Sequence, residues 1–184
     1  MEKLLQDIKI AILITDGFEE SEMTEPKKAL EALGAKTLII SLSRGKVKSW
    51  KEKSWGEEFP VDLDLNQARS EEFDALLLPG GVMNPDKLRI NEQAINFVKS
   101  FVNASKPIAA ICHGPWTLIN ADAVKGKTLT SYPSIKIDLV NAGANWVDQE
   151  VVQDGSLVTS RKPEDIPAFN QAFTILLSHV KLAH

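Results

Sequence analysis

Apolar residues along this chain fall into two alternating kinds of run. The first kind is short, continuous and rich in β-branched residues: KIAILIT at 9–15, KTLIISL at 36–42, FDALLL at 73–78 and KPIAAIC at 106–112. A strand exposed on one face would alternate apolar and polar residues, so these runs read as strands buried on both faces. The second kind repeats near 3.6 residues. SEMTEPKKALEALG (21–34) sets Met23, Ala29, Leu30 and Leu33 at helical spacing, with Pro26 expected in the first turn and Gly34 at the stop. NEQAINFVKSFVNAS (91–105) sets Ala94, Ile95, Val98, Phe101 and Val102 on one face. GPWTLINADAV, SYPSIKIDLVNAG (131–143) and the closing PEDIPAFNQAFTILLSHVKL predict three more helices.

Two stretches break the rhythm. Residues 43–66 alternate apolar and polar positions around Gly45, Gly56 and Pro60, which predicts a small solvent-facing hairpin. NWVDQEVVQDGSLVTSR predicts short strands about a turn at Asp154-Gly155. Strands and helices otherwise alternate, and the expected fold is α/β, a mostly parallel sheet with helices on both faces. In such folds the site lies at the carboxyl ends of the strands. Three polar turns follow buried strands: Asp16–Glu22, Gly80-Gly81 and Cys112-His113-Gly114. Parallel neighbours would bring all three to one rim.

The chain has 184 residues, 43% of them hydrophobic and 25% charged, which fits one soluble globular domain spanning 1–184. The net charge of −4 leaves no basic footprint for nucleic acid or anionic lipid. Lys46, Lys48, Lys51 and Lys53 are diluted by Glu52, Glu57 and Glu58 and read as a solvated surface. The first apolar run is too short for a signal peptide core or a membrane span. One cysteine can form no internal disulfide, so a cytoplasmic location is expected. A single cysteine and scattered histidines make no metal ligand set, and no Gly-rich nucleotide loop is present, so no cofactor is expected.

The sole cysteine ends an apolar strand and is followed by His113, Gly114 and Pro115. A strand feeding a sharp turn and then a helix is how a nucleophile elbow is built. A helix N-terminus stabilises an anion, so the thiol is expected to ionise below about 8.5. The competing reading is a buried cysteine acting as a small hydrophobe. Of the three histidines, only His113 lies near the thiol in sequence. His179 and His184 belong to the tail. Adjacent side chains at a tight turn usually point apart, so His113 would need an orienting carboxylate from elsewhere. Glu19 and Glu22 are three apart and would share a helix face. They read either as a helix-start cluster or as an acid that donates a hydrogen bond to sulfur. Gly80-Gly81 reads either as a plain turn or as backbone N–H groups aimed at an oxyanion.

The segments TDGFEESEMTEP, EEFDALLLPGG, KPIAAICHGPWTLI, LTSYPSIKIDLVNAGANWVDQEVV and LVTSRKPEDIPAFN resemble the ThiJ/PfpI family, in its PfpI branch, within the class I glutamine amidotransferase-like superfold. That resemblance implies a flavodoxin-like three-layer sandwich with Cys112 as nucleophile. It places the glutamate that contacts the sulfur at Glu22, with Glu19 beside it, and the oxyanion donors at the N–H groups of Gly81 and His113. It also implies that an acidic residue of a neighbouring subunit orients His113. That position falls on Asp86, in a segment with one extra residue and Asp in place of Glu. A dimer or dimer-based hexamer follows from that assignment. The resemblance implies activity on reactive carbonyls or glycated adducts in stress protection (deglycase- or glyoxalase-like). An intracellular cysteine peptidase and a redox-sensing protein with little turnover are the alternatives. Glutamine hydrolysis needs a downstream His-x-Glu pair, but His179 precedes Val180 and Lys181.

Overall fold

In the computed structural model, which describes residues 3–182, the chain folds around a seven-stranded sheet. Its strands are β1 (Lys9–Leu13), β2 (Lys36–Ser41), β5 (Leu63–Asp64), β6 (Ala75–Leu78), β7 (Ile108–Ile111), β10 (Val152–Asp154) and β11 (Leu157–Ser160). They lie in the order β10-β11-β7-β6-β1-β2-β5, and every pairing is parallel except that of β10 with β11. Strands β3 (Lys46–Lys51) and β4 (Ser54–Pro60) form a separate antiparallel hairpin. This is the excursion predicted within residues 43–66, although Leu63–Asp64 of that span join the central sheet as β5. Strands β8 (Thr128–Leu129) and β9 (Asn145–Trp146) form a short parallel pair.

Continuous apolar runs make the central strands because both faces are covered. Ile10 and Ile12 of β1 pack into one core, while Ala11 and Leu13 pack into the other. This is the two-residue alternation of a strand with both sides dry. Helices α1 (Glu20–Ala32) and α6 (Ile166–Leu182) cover one face, where Phe18, Met23, Phe169 and Phe173 are buried. The other face carries α2 (Met83–Leu88), α3 (Glu92–Asn103), α4 (Pro115–Asn120) and α5 (Lys136–Asn141), with Phe73, Phe97 and Phe101 among the buried side chains. The result is the expected three-layer α/β sandwich.

Three local expectations change. Pro26 lies within the second turn of α1 rather than its first, so its missing N–H leaves the Glu22 carbonyl without the usual partner four residues on. The predicted helix 131–143 is a 3-10 turn at Pro133–Ile135 followed by α5. Helix α2 has no counterpart in the hydrophobic pattern, because six residues with Pro85 in the first turn carry too little periodicity.

Strand β1 is the switch point of the sheet. The chain leaves it toward β2 on one side and returns through β6 on the other. The carboxyl ends of β1, β6 and β7 are therefore neighbours, and the three polar turns meet above them.

Candidate active site

Cys112 follows the last residue of β7 with a backbone φ of 64°. Non-glycine residues rarely adopt this left-handed geometry, and it is often held at functional turns. The turn is pinned from several sides. The Cys112 N–H donates to the Ser160 carbonyl at 3.0 Å, and the Cys112 carbonyl accepts from the Tyr132 N–H at 2.9 Å. The bend swings the side chains of Cys112 and His113 to the same side. Cys112 Sγ lies 3.2 Å from His113 Nδ1, so the adjacent residues do meet.

Glu22, in the first turn of α1, is fully buried and reaches the same sulfur from the other side. Its Oε1 accepts from the Gly80 N–H at 3.0 Å, while Oε2 has no hydrogen-bond partner among the described residues. A Cβ on residue 80 would stand 2.7 Å from Cys112 Cβ and 2.8 Å from Glu22 Oε1, so only glycine lets acid and thiol converge there. Gly81 follows with a φ of 78°, and its N–H, with that of His113, points at the sulfur.

Burial pushes the Glu22 carboxyl up to about 8, with the charge of nearby Glu19 adding to the effect. At neutral pH the acid keeps its proton, and its carboxyl lies against the Cys112 side chain. Burial also pushes the Cys112 thiol up, and an ionised Glu22 pushes it further. The N–H groups of Gly81 and His113 pull it back only in part. The expectation of a thiol below its free value is thus reversed in the resting site. A six-residue helix offsets little of the desolvation of a sulfur that is only 7% exposed. His113 is 6% exposed, and its burial holds the imidazole below its usual 6.5, while the charge of Asp138 acts in the opposite direction. At neutral pH it is an uncharged base beside a protonated thiol.

The other expected residues lie apart from this cluster. Glu19 is half-buried just before α1, where burial raises its carboxyl, and it makes no hydrogen bond to Cys112 or His113. Asp86 is exposed on α2 and does not contact its own chain's His113. His179 is exposed, and His184 lies outside the described residues.

Several supporting residues escaped the sequence reading. His113 Nε2 lies 3.2 Å from Ser134 Oγ. The imidazole stacks on Tyr132 with centroids 5.0 Å apart, and meets the edge of Trp116 at 5.1 Å. Trp116 Nε1 in turn donates to Asp138 Oδ2 at 2.8 Å. Fully buried Asn84 ties the β1 and β6 turns together: its Nδ2 donates to the Pro79 and Gly80 carbonyls, and its Oδ1 accepts from the Thr15 N–H. Glu20 docks the β3–β4 hairpin on α1 by accepting from Ser49 Oγ and the Glu57 N–H. Asn84 carries no hydrophobic signal, and Ser134 and Tyr132 sit in a turn whose placement depends on the whole sheet.

Among the described residues, no group of three or more His, Cys, Asp and Glu side chains is placed to hold a metal ion. No helix among them is long and apolar enough to cross a membrane.

Known proteins share this architecture. The chain is 48% identical over 171 residues to General stress protein 18 of Bacillus subtilis (strain 168), covering 92% of this chain and 97% of the relative. It is 46% identical over 170 residues to Protein/nucleic acid deglycase 2 of Escherichia coli (strain K12), covering 92% and 97%. Among solved structures, a two-domain protein from Anabaena variabilis with DJ-1/ThiJ/PfpI-like and ferritin-like domains matches with a TM-score of 0.88 and 35% identity. That match covers 93% of this chain and 48% of the longer one. The model of the DJ-1/PfpI family matches residues 8–175, a span that holds β1, the elbow at Cys112 and the buried Glu22 alike, and the chain belongs to that family.

Proposed function

We propose that this chain is a cysteine-dependent hydrolase or lyase, a single-domain cytoplasmic enzyme that acts on reactive carbonyls or glycated adducts. The observation that carries the reading is the convergence on one sulfur of His113 Nδ1 at 3.2 Å and the buried Glu22 carboxyl. A sulfur only 7% exposed favours a small carbonyl over an extended peptide. The deglycase relative is in keeping with that substrate class.

The residues define a balanced first step. The Cys112 S–H proton passes to His113 Nδ1 as sulfur attacks the carbonyl carbon. The S–C bond forms, and the carbonyl π pair moves onto oxygen. The N–H groups of Gly81 and His113, already aimed at Sγ, are the proposed donors to that oxygen. His113 then returns the proton from Nδ1 to the oxygen, which leaves a hemithioacetal. Glu22 is proposed to hold the sulfur through its O–H, and burial, with the charge of Glu19 added, keeps Glu22 protonated. Asp86, on α2, makes no hydrogen bond to its own chain's His113. Its proposed role requires a second copy, hence a dimer or a dimer-based hexamer.

Steady-state kinetics on methylglyoxal, its amino-acid adducts and a peptide panel, with Cys112→Ser as control, test the reading. Turnover of the carbonyl substrates that disappears in Cys112→Ser supports it. Turnover of peptides alone, or fast oxidation of Cys112 by low peroxide without any turnover, overturns it.

A further inference from the structure

The sequence calls for a carboxylate to orient His113, yet within the chain the imidazole is already held on every side. Nδ1 meets Cys112 Sγ and Nε2 meets Ser134 Oγ, each at 3.2 Å. One ring face stacks on Tyr132, with planes 23° apart, and Trp116 stands edge-on at 68°. Two of these supports, and the residue that holds a third, come from one short segment. Tyr132 and Ser134 touch the ring, and Asp138 holds Trp116 through its indole N–H. The segment is fastened to the elbow itself by the Tyr132 N–H on the Cys112 carbonyl.

The hydrogen bonds in this row have a polarity that can be worked out from one end. The N–H groups of Gly81 and His113 point at the Cys112 sulfur, and the row starts with these backbone donors. The sulfur, with donors already on it, gives its own S–H to His113 Nδ1, 3.2 Å away. A neutral imidazole that accepts at Nδ1 carries its hydrogen on Nε2. Among the described residues, the only side-chain partner that Nε2 has is Ser134 Oγ. A hydroxyl can accept that N–H and turn its own hydrogen to solvent, since Ser134 is exposed.

We propose that Ser134 is a positioning residue that ends this row as a hydrogen-bond acceptor, fixing His113 in the Nε2–H tautomer so that the Nδ1 lone pair faces the Cys112 thiol. Tyr132 and Trp116 hold the ring plane, and Ser134 selects the tautomer. Orientation of His113 is thus a property of the single chain, and Asp86 of a second copy would add to it rather than create it. The catalytic consequence rests on the proposed cysteine chemistry, but the tautomer does not.

The test is long-range nitrogen–proton NMR on protein labelled with 15N-histidine, with His113 assigned by its loss in His113→Gln. The wild-type chain is expected to show Nε2–H. Ser134→Ala should raise the Nδ1–H population and lower kcat/KM on the carbonyl substrate by roughly five- to tenfold, the size expected for one neutral hydrogen bond. KM should change little, and Ser134→Thr, which keeps the hydroxyl, should restore both. A wild-type Nδ1–H tautomer, or an unchanged tautomer ratio in Ser134→Ala, would overturn the assignment. Ser134 is exposed, so the variants are expected to unfold at the wild-type temperature. A tautomer shift without carbonyl turnover in the wild type would sink the proposed function and leave the role of Ser134 standing. Turnover with no tautomer shift would do the reverse.

Discussion

Cys112 Sγ and His113 Nδ1 stand 3.2 Å apart although their residues are consecutive. Neighbouring side chains on a strand point to opposite faces, and at most turns they diverge. Here the left-handed φ of 64° at Cys112 folds the backbone back and brings both side chains over the same rim. The strain therefore has a chemical use: it places a base beside the thiol without a third residue to bridge them.

That strain sets the first prediction. Glycine adopts a φ of 64° freely, whereas alanine does not. Cys112→Gly should therefore be more stable than Cys112→Ala by about 1 kcal/mol, although glycine gains more unfolded-state entropy. Both should lose at least about 10³-fold in kcat/KM. Urea unfolding with a matched m-value checks the order, and an alanine variant of equal or higher stability would remove the argument from strain.

Glu22 links activity and stability to pH. The acid limb of kcat/KM should fall below the ordinary histidine value of 6.5, because burial lowers His113. The basic limb should lie at about 8, where Glu22 loses its proton and a negative charge appears beside the sulfur. Glu22→Gln keeps a donor without titrating, so the basic limb near 8 should vanish while activity stays within about tenfold of wild type. Glu22→Leu removes the donor and should reduce kcat/KM by about 10²-fold.

Stability follows from the same shift. The carboxyl rises from 4.5 to about 8 on folding, so its protonated form is favoured in the folded state. Its contribution is complete below pH 4.5 and is lost as pH rises through about 8. Relative to Glu22→Gln, the wild-type protein should lose several kcal/mol across that window. Thermal melts at fixed ionic strength, taken from pH 4.5 to 9, would show parallel curves for the two proteins if Glu22 were not buried and protonated.

Asp86 decides whether a second copy matters. Asp86→Ala should fold normally and lower turnover by about tenfold, since Ser134 still holds His113 within each chain. Mixed Asp86→Ala and Cys112→Ser subunits form hybrid sites that regain both residues. After subunit exchange, their activity should exceed the mean of the two separate preparations. Activity equal to that mean would confine Asp86 to its own chain or to no role.

Asn84 offers a test of the scaffold. Its three hydrogen bonds join the turn after β1 to the turn after β6 in a fully buried place. Asn84→Ala leaves the Thr15 N–H without its partner and should cost about 2–3 kcal/mol. Glu22 reaches the sulfur only while those turns keep their spacing, so kcat should fall as well. A variant with wild-type stability would show that water takes over the contacts.

Much of the fold follows from local pattern. Continuous apolar runs require dry surfaces on both sides, so KIAILIT and KPIAAIC could only be inner strands of a layered sheet. The strand–Cys112–turn order made an elbow legible, and the acidic run at 16–22 made a carboxylate available to it. Local pattern does not say which acid reaches the sulfur: the family resemblance points to Glu22, and the physical reason lies in the tertiary structure. Glu19, Glu20 and Glu22 lie within four positions, yet one is half-buried just before α1, one docks a hairpin and one is buried against Cys112. Helix phase and the approach of Gly80 decide among them, and both depend on how α1 lies over β1 and β6. The direction of the Cys112 ionisation shift was likewise out of reach. A helix start is visible in sequence, but the depth of burial that outweighs it exists only once both layers have closed over the rim. Ser134 lies 21 positions from His113 and carries no apolar signal. Only the packing of its turn against the elbow brings its hydroxyl to Nε2.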